Sequence, residues 1–392
     1  MSSFSLQVTD TLAAIHPSSW DALAGKQPLL SHAFLHALHE TGCASPKTGW
    51  APRYLLLRQG DILVGAMPLY LKAHSYGEYV FDWSWADAYR RHGQRYYPKL
   101  LAAIPFTPAT GPRLLARTRN AKQRLLDGAL ALLSDEGLSS LHVLFPDAQD
   151  AAQCATAGML MRASMQFHWQ NPGYRDFADF LSTLNHDKRK KIRQERRRLL
   201  EAGISFRRRT GEEISGPEWA FFYRCYVNTY HQHGSTPYLS LPFFERIGAT
   251  MADSLVLVIG SRHGTPVCAA LNVVDPDTLW GRYWGATSHV PGLHFEACYY
   301  QAIEFCIERG IGLFEGGAQG LHKLARGFLP VTTRSAHTIS DPDFARAIEA
   351  FVARERADVA QTVDELERAS PFRQVEVAQG VGAPRDDAAR EA

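Results

Sequence analysis

No stretch of this sequence approaches the ~20 continuous apolar residues that a helix needs to cross a bilayer, so no transmembrane segment is expected. Its first residues, MSSFSLQVTDTLAAIHPSSW, lack a basic region followed by an apolar run, and no signal peptide is expected either. The six cysteines, Cys43, Cys154, Cys225, Cys268, Cys298 and Cys306, contain no CxxC pair. Most fall inside expected strands or helices, which fits buried thiols in a reducing compartment better than disulfides and makes the cytoplasm the expected location. No GxSxG, phosphate-binding P-loop or dinucleotide fingerprint falls at a strand-to-helix turn, which removes hydrolase, NTPase and Rossmann readings. His231 and His233 flank Gln232, but that spacing puts them on different faces of a helix. With no third ligand in view, no metal site is expected.

What is present is a chain of 392 residues, 45% of them hydrophobic. This exceeds the roughly 100–200 residues of one domain, and two cores can form. The net charge of +2 hides an asymmetry. Between His186 and Arg209 stand Lys188, Arg189, Lys190, Lys191, Arg193, Arg196, Arg197, Arg198 and Arg207–Arg209, opposed only by Asp187, Glu195 and Glu201, so the segment carries +8 and the remainder −6. DKRKKIRQERRRLLEAG predicts a helix over 187–202, stopped by Gly203, with few apolar residues beyond Ile192, Leu199 and Leu200. Its broad cationic face would draw phosphate-rich partners: tRNA, a nucleotide-diphosphate sugar, coenzyme A or anionic lipid. The plainer alternative is a solvated helix paired with acidic neighbours. Aromatics are not interleaved, so base stacking on this helix is not expected.

The order of elements is most informative over residues 253–330. SLVLVIGSRHGTPVCAALNVVDPDTLWGRYWGA predicts three strands turning at Gly264 and at Pro276–Asp277. LHFEACYYQAIEFCIERGI follows at helical spacing, then a short strand, GLFEG, and a polar loop, GAQGLHKLARGF. This order resembles a GNAT-type acyltransferase core. A weaker copy precedes it: a hairpin around Gly60 and Asp61, strands in GEYVFDW and TGPRLLA, a helix in NAKQRLLDGALALLSDEG, and the strand LHVLF. The expected architecture is therefore α/β (α+β), with two GNAT-like domains in tandem and mixed central sheets flanked by helices. The expected divisions are 1–170, 171–340, a C-terminal helix over 341–372 and a disordered tail over 379–392.

HSYGEYVFDWSWADAY, YYPKLLAAIPFTPATGPRLL, LHFEACYYQAIEFCIERG and FEGGAQGLHKLARGFLPVTTRSAH are long, unusual runs. They resemble the Fem-like (FemAB-like) family of predicted N-acyltransferases, labelled peptidoglycan biosynthesis or recognition proteins, over residues 14–372. The resemblance implies a double GNAT fold and acyl or aminoacyl transfer from a phosphate-bearing donor to an amine of a small-molecule or muropeptide acceptor. Ordinary GNAT enzymes cradle the coenzyme A pyrophosphate on a Gly-rich Q/RxxGxG/A loop at a helix N-terminus. Here the equivalent stretches, ATSHVPGLHFE and ARTRNAK, lack that spacing, although His294, or Arg117 and Arg119, could aid an anion. The donor therefore stays open between acyl-CoA and aminoacyl-tRNA, with no tightly bound cofactor.

Acyl transfer needs a donor grip, an oxyanion contact and a proton acceptor. Glu315, Gln319, His322, Lys323 and Arg326 crowd one glycine-rich stretch, and Lys323 resembles the lysine with which Fem-type loops meet their substrate. Lys323 and Arg326 are expected at phosphate or oxyanion, and Glu315 in proton acceptance or amine orientation; the alternative is an ion-paired loop closing the domain. Glu296 ranks behind Glu315, because a carboxylate one turn into a helix also simply complements its dipole. In FDWSWADAYRRHG, Asp82, Trp83, Trp85, Asp87 and Tyr89 form either a sugar or peptide pocket or a hydrophobic edge with capping aspartates. Strand alternation puts Trp280, Arg282 and Trp284 on one face with Tyr283 opposite, and makes Arg282 a pocket candidate. Two other functional classes remain beside the transferase: a non-catalytic peptidoglycan or nucleotide-sugar recognition module, and an RNA-binding protein using the basic helix.

Overall fold

The computed structural model describes residues 3–317 and 320–373; Gln319 and the expected tail over 379–392 lie outside them. The first half contains β1 (Phe4–Thr9), β2 (Trp50–Pro52), β3 (Tyr54–Gln59), β4 (Ile62–Met67), β5 (Leu69–Lys72), β6 (Lys99–Ala102), β7 (Leu115–Ala116), β8 (Ser140–Leu144) and β9 (Leu160–Gln170). Its helices are α1 (Pro17–Ala24), α2 (His32–Glu40), α3 (Trp83–Arg91), α4 (Arg119–Asp135) and α5 (Ala148–Thr156). The second half contains β10 (Ile204–Thr210), β11 (Leu255–Arg262), β12 (Thr265–Val274), β13 (Thr278–Ala286), β14 (Leu313–Glu315) and β15 (Leu329–Ile339). Its helices are α6 (Phe177–Thr183), α7 (His186–Glu201), α8 (Gly216–Gln232), α9 (Leu241–Thr250), α10 (Leu293–Phe295), α11 (Gln301–Arg309) and α12 (Pro342–Arg368), with a π-helical turn over Glu296–Tyr300 between α10 and α11.

Local sequence explains most of these elements. α4 buries Leu125, Leu126, Ala129 and Leu133 along one face, and the Thr118 hydroxyl caps it by accepting from the Ala121 amide. α7 starts where the Asn185 side chain accepts from the Lys188 amide, and it buries only Ile192 and Leu199. β11 is an apolar run, buried from Leu255 to Ser261, as befits a strand covered on both faces.

The tertiary arrangement departs from two separate sheets. β1-β3-β4-β7 form a small sheet, whereas eleven strands in the order β10-β11-β12-β13-β14-β9-β15-β8-β6-β5-β2 form one continuous sheet across both halves. β9 and β15 make the seam, antiparallel from Leu160↔His337 to His168↔Leu329. The far end of β9 pairs with β14, and that of β15 with β8. A buried cluster follows the same seam, joining Trp20, Tyr54 and Phe106 to Phe244, Leu257 and Trp280.

Three local expectations are corrected. GEYVFDW is not a strand: the chain loops through residues 76–82 and then enters α3. TGPRLLA contributes only Leu115–Ala116, and to the small sheet; the main-sheet strand is β6, which pairs in parallel with β8. Arg113 explains this, because its buried guanidinium turns back onto the carbonyls of Ala109, Gly111 and Pro112 and curls the chain out of the extended form. Finally, β13 carries a bulge. Leu271 faces Tyr283 but Asn272 faces Gly281, so Arg282 is the extra residue. The bulge reverses the alternation: Trp280 and Tyr283 pack on the same core, while Trp284 packs on another.

Candidate active site

β13 and β14 pair in parallel only from Thr278↔Leu313 to Trp280↔Glu315. Beyond Glu315 the chain stays with β9, where the Gly316 amide donates to the Phe167 carbonyl at 3.0 Å. β13 meanwhile continues to Ala286 along β12. The two strands part, and among the described residues the β13 edge facing away from β12 has no strand beside it from Gly281 onward. A cavity of about 130 Å³ lies on the helix side of this crevice, walled by Asn272, Trp284, His294, Cys298 and Tyr299. A cavity of about 340 Å³ lies on the other side, walled by Tyr76, Tyr79, Phe81, Trp83, Tyr238 and Lys323. Gly281, Arg282 and Gly316 border both. Glycine is needed where the strands part: a Cβ on Gly316 would sit 2.9 Å from Phe328 Cε1 and 3.1 Å from the Phe167 carbonyl oxygen.

Two cations stand at this opening. Arg282 donates through Nη2 to the Phe106 carbonyl at 2.6 Å and to Thr107 Oγ1 at 3.1 Å, which fixes it against the first half. Its buried Nε has no hydrogen-bond partner among the described residues. Lys323 is carried by a short 3-10 turn, Leu321–Arg326, and its Nζ donates to the Gly317 carbonyl at 3.1 Å. Burial lowers the Lys323 pKa to about 8, so neutral amine is present near physiological pH. His294, against Trp284, is lowered to about 4 by burial, reinforced by His322 and Arg326, and is neutral. His322 is hydrogen-bonded to the Tyr299 hydroxyl at 3.0 Å.

Other sequence candidates lie behind these walls. Glu315 is buried and accepts from the Thr110 amide at 3.4 Å; burial pushes its carboxyl up to about 7. It faces the 108–110 segment and is not among the residues lining either cavity. Glu296 is taken by Arg196, which donates to it at 2.9 and 3.1 Å and also binds Glu304 at 2.7 Å. Arg326, expected at phosphate or oxyanion, is enclosed instead. It pairs with Glu195 at 3.0 Å and stacks on Phe295, 3.4 Å from the ring centre, so it fastens α7 to the turn that carries Lys323. Arg196 is likewise withdrawn from the expected cationic surface.

The strip expected in the first half divides in the same way. Trp83 reaches the larger cavity beside Tyr76. Trp85 and Tyr89 point the other way, against His337 and Phe344. Asp87 binds Arg90 and Arg91 on the surface. Asp82 is buried, accepting from Tyr96 at 2.6 Å and from Lys99. Burial opposes its ionisation, but the Lys99 ammonium prevails and holds the carboxyl below its usual range. Lys99 also donates to Ser75 at 2.9 Å and Glu78 at 2.8 Å. It therefore pins both ends of the 75–82 loop, whose Tyr76, Tyr79 and Phe81 form the aromatic wall. These three, with Tyr238 and Asn272, were missed in the sequence. The runs HSYGEYVFDW and TPYLS hold the signal, as aromatics clustered in segments of irregular backbone.

Basic residues of α7 other than Arg196 remain outside the crevice. Lys190, Lys191, Arg193 and Arg197 are exposed, while Lys188 and Arg189 are half-buried. No three or more His, Cys, Asp or Glu side chains among the described residues are grouped to hold a metal ion.

A family model described as FemAB-like, peptidoglycan biosynthesis/recognition, matches residues 11–374. The chain belongs to this family. No curated protein matches it. Among solved structures it is similar to FemX, at 12% identity and a TM-score of 0.53, covering 86% of this chain and 98% of that one. It is also similar to L-PGS from Bacillus licheniformis, at 10% identity and a TM-score of 0.54, covering 87% and 96% of the two chains. At such identities the likeness is one of fold, and it agrees with the tandem GNAT-like arrangement of this FemAB-like chain.

Proposed function

We propose that this FemAB-like protein is an acyl- or aminoacyltransferase acting on an amine, with the reaction centred where β13 parts from β14. The observation that carries this reading is a crevice open to both sides of the sheet, with a lysine of lowered pKa and the bulge-borne Arg282 at its mouth. The β13 edge from Gly281 onward would meet an extended donor arm with its main-chain groups, other than the Trp284 and Ala286 carbonyls, which already accept from Thr229 and Asn228 at 2.9 and 3.3 Å. The cavity walled by Tyr76, Tyr79, Phe81 and Trp83 would take the acceptor. In the transfer, the acceptor ammonium first loses one proton to solvent, and neutral Lys323 accepts a second as the amine nitrogen bonds to the acyl carbon. Arg282 and the newly formed Lys323 ammonium stabilise the oxyanion. The bond to the donor sulfur or oxygen then breaks, and that atom takes the proton from Lys323. Glu315, set behind the 108–110 segment, is assigned to holding that wall.

The family description points to a peptidoglycan precursor as acceptor, and the donor is an acyl-CoA or an aminoacyl-tRNA. Thermal melting with acetyl-CoA, free coenzyme A, UDP-MurNAc-pentapeptide and bulk aminoacylated tRNA tests this, because a ligand bound only by the native state raises apparent stability. The expected result is a rise with one donor and with the acceptor, and a product whose mass equals acceptor plus acyl group. Binding of the muropeptide nucleotide with no product from any donor would replace the transferase with a recognition module.

A further inference from the structure

We infer that the outer face of α7 docks this protein onto an anionic lipid surface. The helix has two unlike sides. Its inner side is committed: Ile192 and Leu199 are buried, Glu195 binds Arg326, and Arg196 binds Glu296 and Glu304. Its outer side exposes Lys190, Lys191, Arg193, Arg197 and Arg198. Only Arg197 of these five has a carboxylate partner among the described residues, its own neighbour Glu201 at 3.5 Å. The cationic arginines of β10 add nothing to this field, since Arg207 and Arg209 share Glu218 and Arg208 takes Glu308.

Charge alone would suit any polyanion; the apolar residues decide between them. Leu200 is 73% exposed at the end of this charged helix, on the side of Arg193 and Arg197. Leu321 is 65% exposed on the 3-10 turn that packs against α7. An exposed leucine beside unpaired cations, with a second on the neighbouring turn, suits an interfacial helix, whose apolar groups enter the headgroup region while its cations meet lipid phosphates. A single-stranded nucleic acid would draw on aromatic platforms to stack its bases, and the outer face of α7 has none. At 16 residues the helix spans about 24 Å, long enough to lie along a surface. Through Glu195 and Arg326 it is tied to the turn bearing Lys323, so docking would hold the crevice close to the lipid.

Sedimentation with vesicles tests the inference independently of any transferase activity. The full chain should bind vesicles of phosphatidylglycerol and phosphatidylcholine, weaken as salt rises, and ignore pure phosphatidylcholine. Combined Lys190→Gln, Arg193→Gln, Arg197→Gln and Arg198→Gln should lower partitioning by about a hundredfold or more. Leu200→Gln, which removes the apolar group without adding charge, should lower it roughly tenfold while leaving any retention of bulk tRNA unchanged. These side chains are exposed, so both variants should melt like the parent. The inference is overturned if the parent ignores phosphatidylglycerol vesicles, if the quadruple variant still binds them, or if tRNA alone is retained and lost with the same four cations.

Discussion

The two halves treat the same topological feature in opposite ways. In the first half, β6 and β8 pair in parallel from Leu100↔Leu141 to Ala102↔Val143, the counterpart of β13 and β14. There the chain fills its own gap. Gly111 bridges to Pro146, with its amide donating to the Phe145 carbonyl at 3.1 Å. Arg113 pins the plug through three carbonyls, and the Asp150 carboxylate accepts from the Arg113 and Leu114 amides at 2.6 and 2.8 Å. In the second half nothing comparable among the described residues crosses between Gly281 and Gly316, and the gap is a crevice. One half thus leaves the gap between its parallel strands open. The other half fills its gap and instead supplies a wall, through the Lys99-pinned loop and Phe106.

This contrast can be broken or sharpened by four substitutions. Lys323→Met should lower turnover by about 10²–10⁴-fold and abolish the rise in rate as pH passes through about 8, where the neutral amine forms; a pH–rate profile measured by product mass checks both. Its melting temperature should not fall, because a buried ammonium is removed. Arg113→Met should cost about 3 kcal/mol in denaturant unfolding, since three carbonyls lose their donor. It should leave the pH limb of Lys323 intact, because Arg113 makes no hydrogen bond to that amine or to its Gly317 partner.

Glu315→Gln sharpens the contrast with the opposite sign. A carboxyl raised from 4.5 to about 7 binds its proton more tightly when folded, so stability is full below 4.5 and falls as pH rises to about 7. The glutamine variant should therefore be more stable than the parent above pH 7, by about 3 kcal/mol, and show a flatter stability profile between those limits. Turnover should survive if Glu315 only supports the wall, and collapse if it takes the proton itself. The smallest effect is expected from Gly281→Val. An added Cβ would already stand 3.1 Å from the Phe314 ring, and the branched side chain should narrow the crevice. Donor affinity should drop about tenfold, read as a smaller ligand-induced melting shift.

Much of the fold was legible because the relevant signals are local. The three strands β11–β13, the helices α4, α7, α8 and α12, and the hairpin at Gly60 announce themselves through periodicity, caps and turn residues. β9 and β15 did not. Their interior positions include Arg162, Gln166, His168, Thr333, Ser335 and His337, all buried, so neither an apolar run nor a clean alternation marks them. Of the site, Lys323 and Arg282 could be named from their settings, and both border the cavities. Glu296, Arg326 and Asp82 looked equally available in sequence. Each is consumed by a partner distant along the chain: Arg196, Glu195 and Lys99.

The sequence by itself determined the family, the doubled element order and the concentration of positive charge in one helix, because these rest on composition and on spacings within a few turns or strands. Only the tertiary structure decided that the halves share one sheet, that one crevice is plugged and the other open, and which charges remain free to meet a ligand. Such outcomes depend on pairing across more than a hundred residues, where a single bulge at Arg282 or a buried partner such as Glu195 redirects a side chain that local periodicity would place elsewhere.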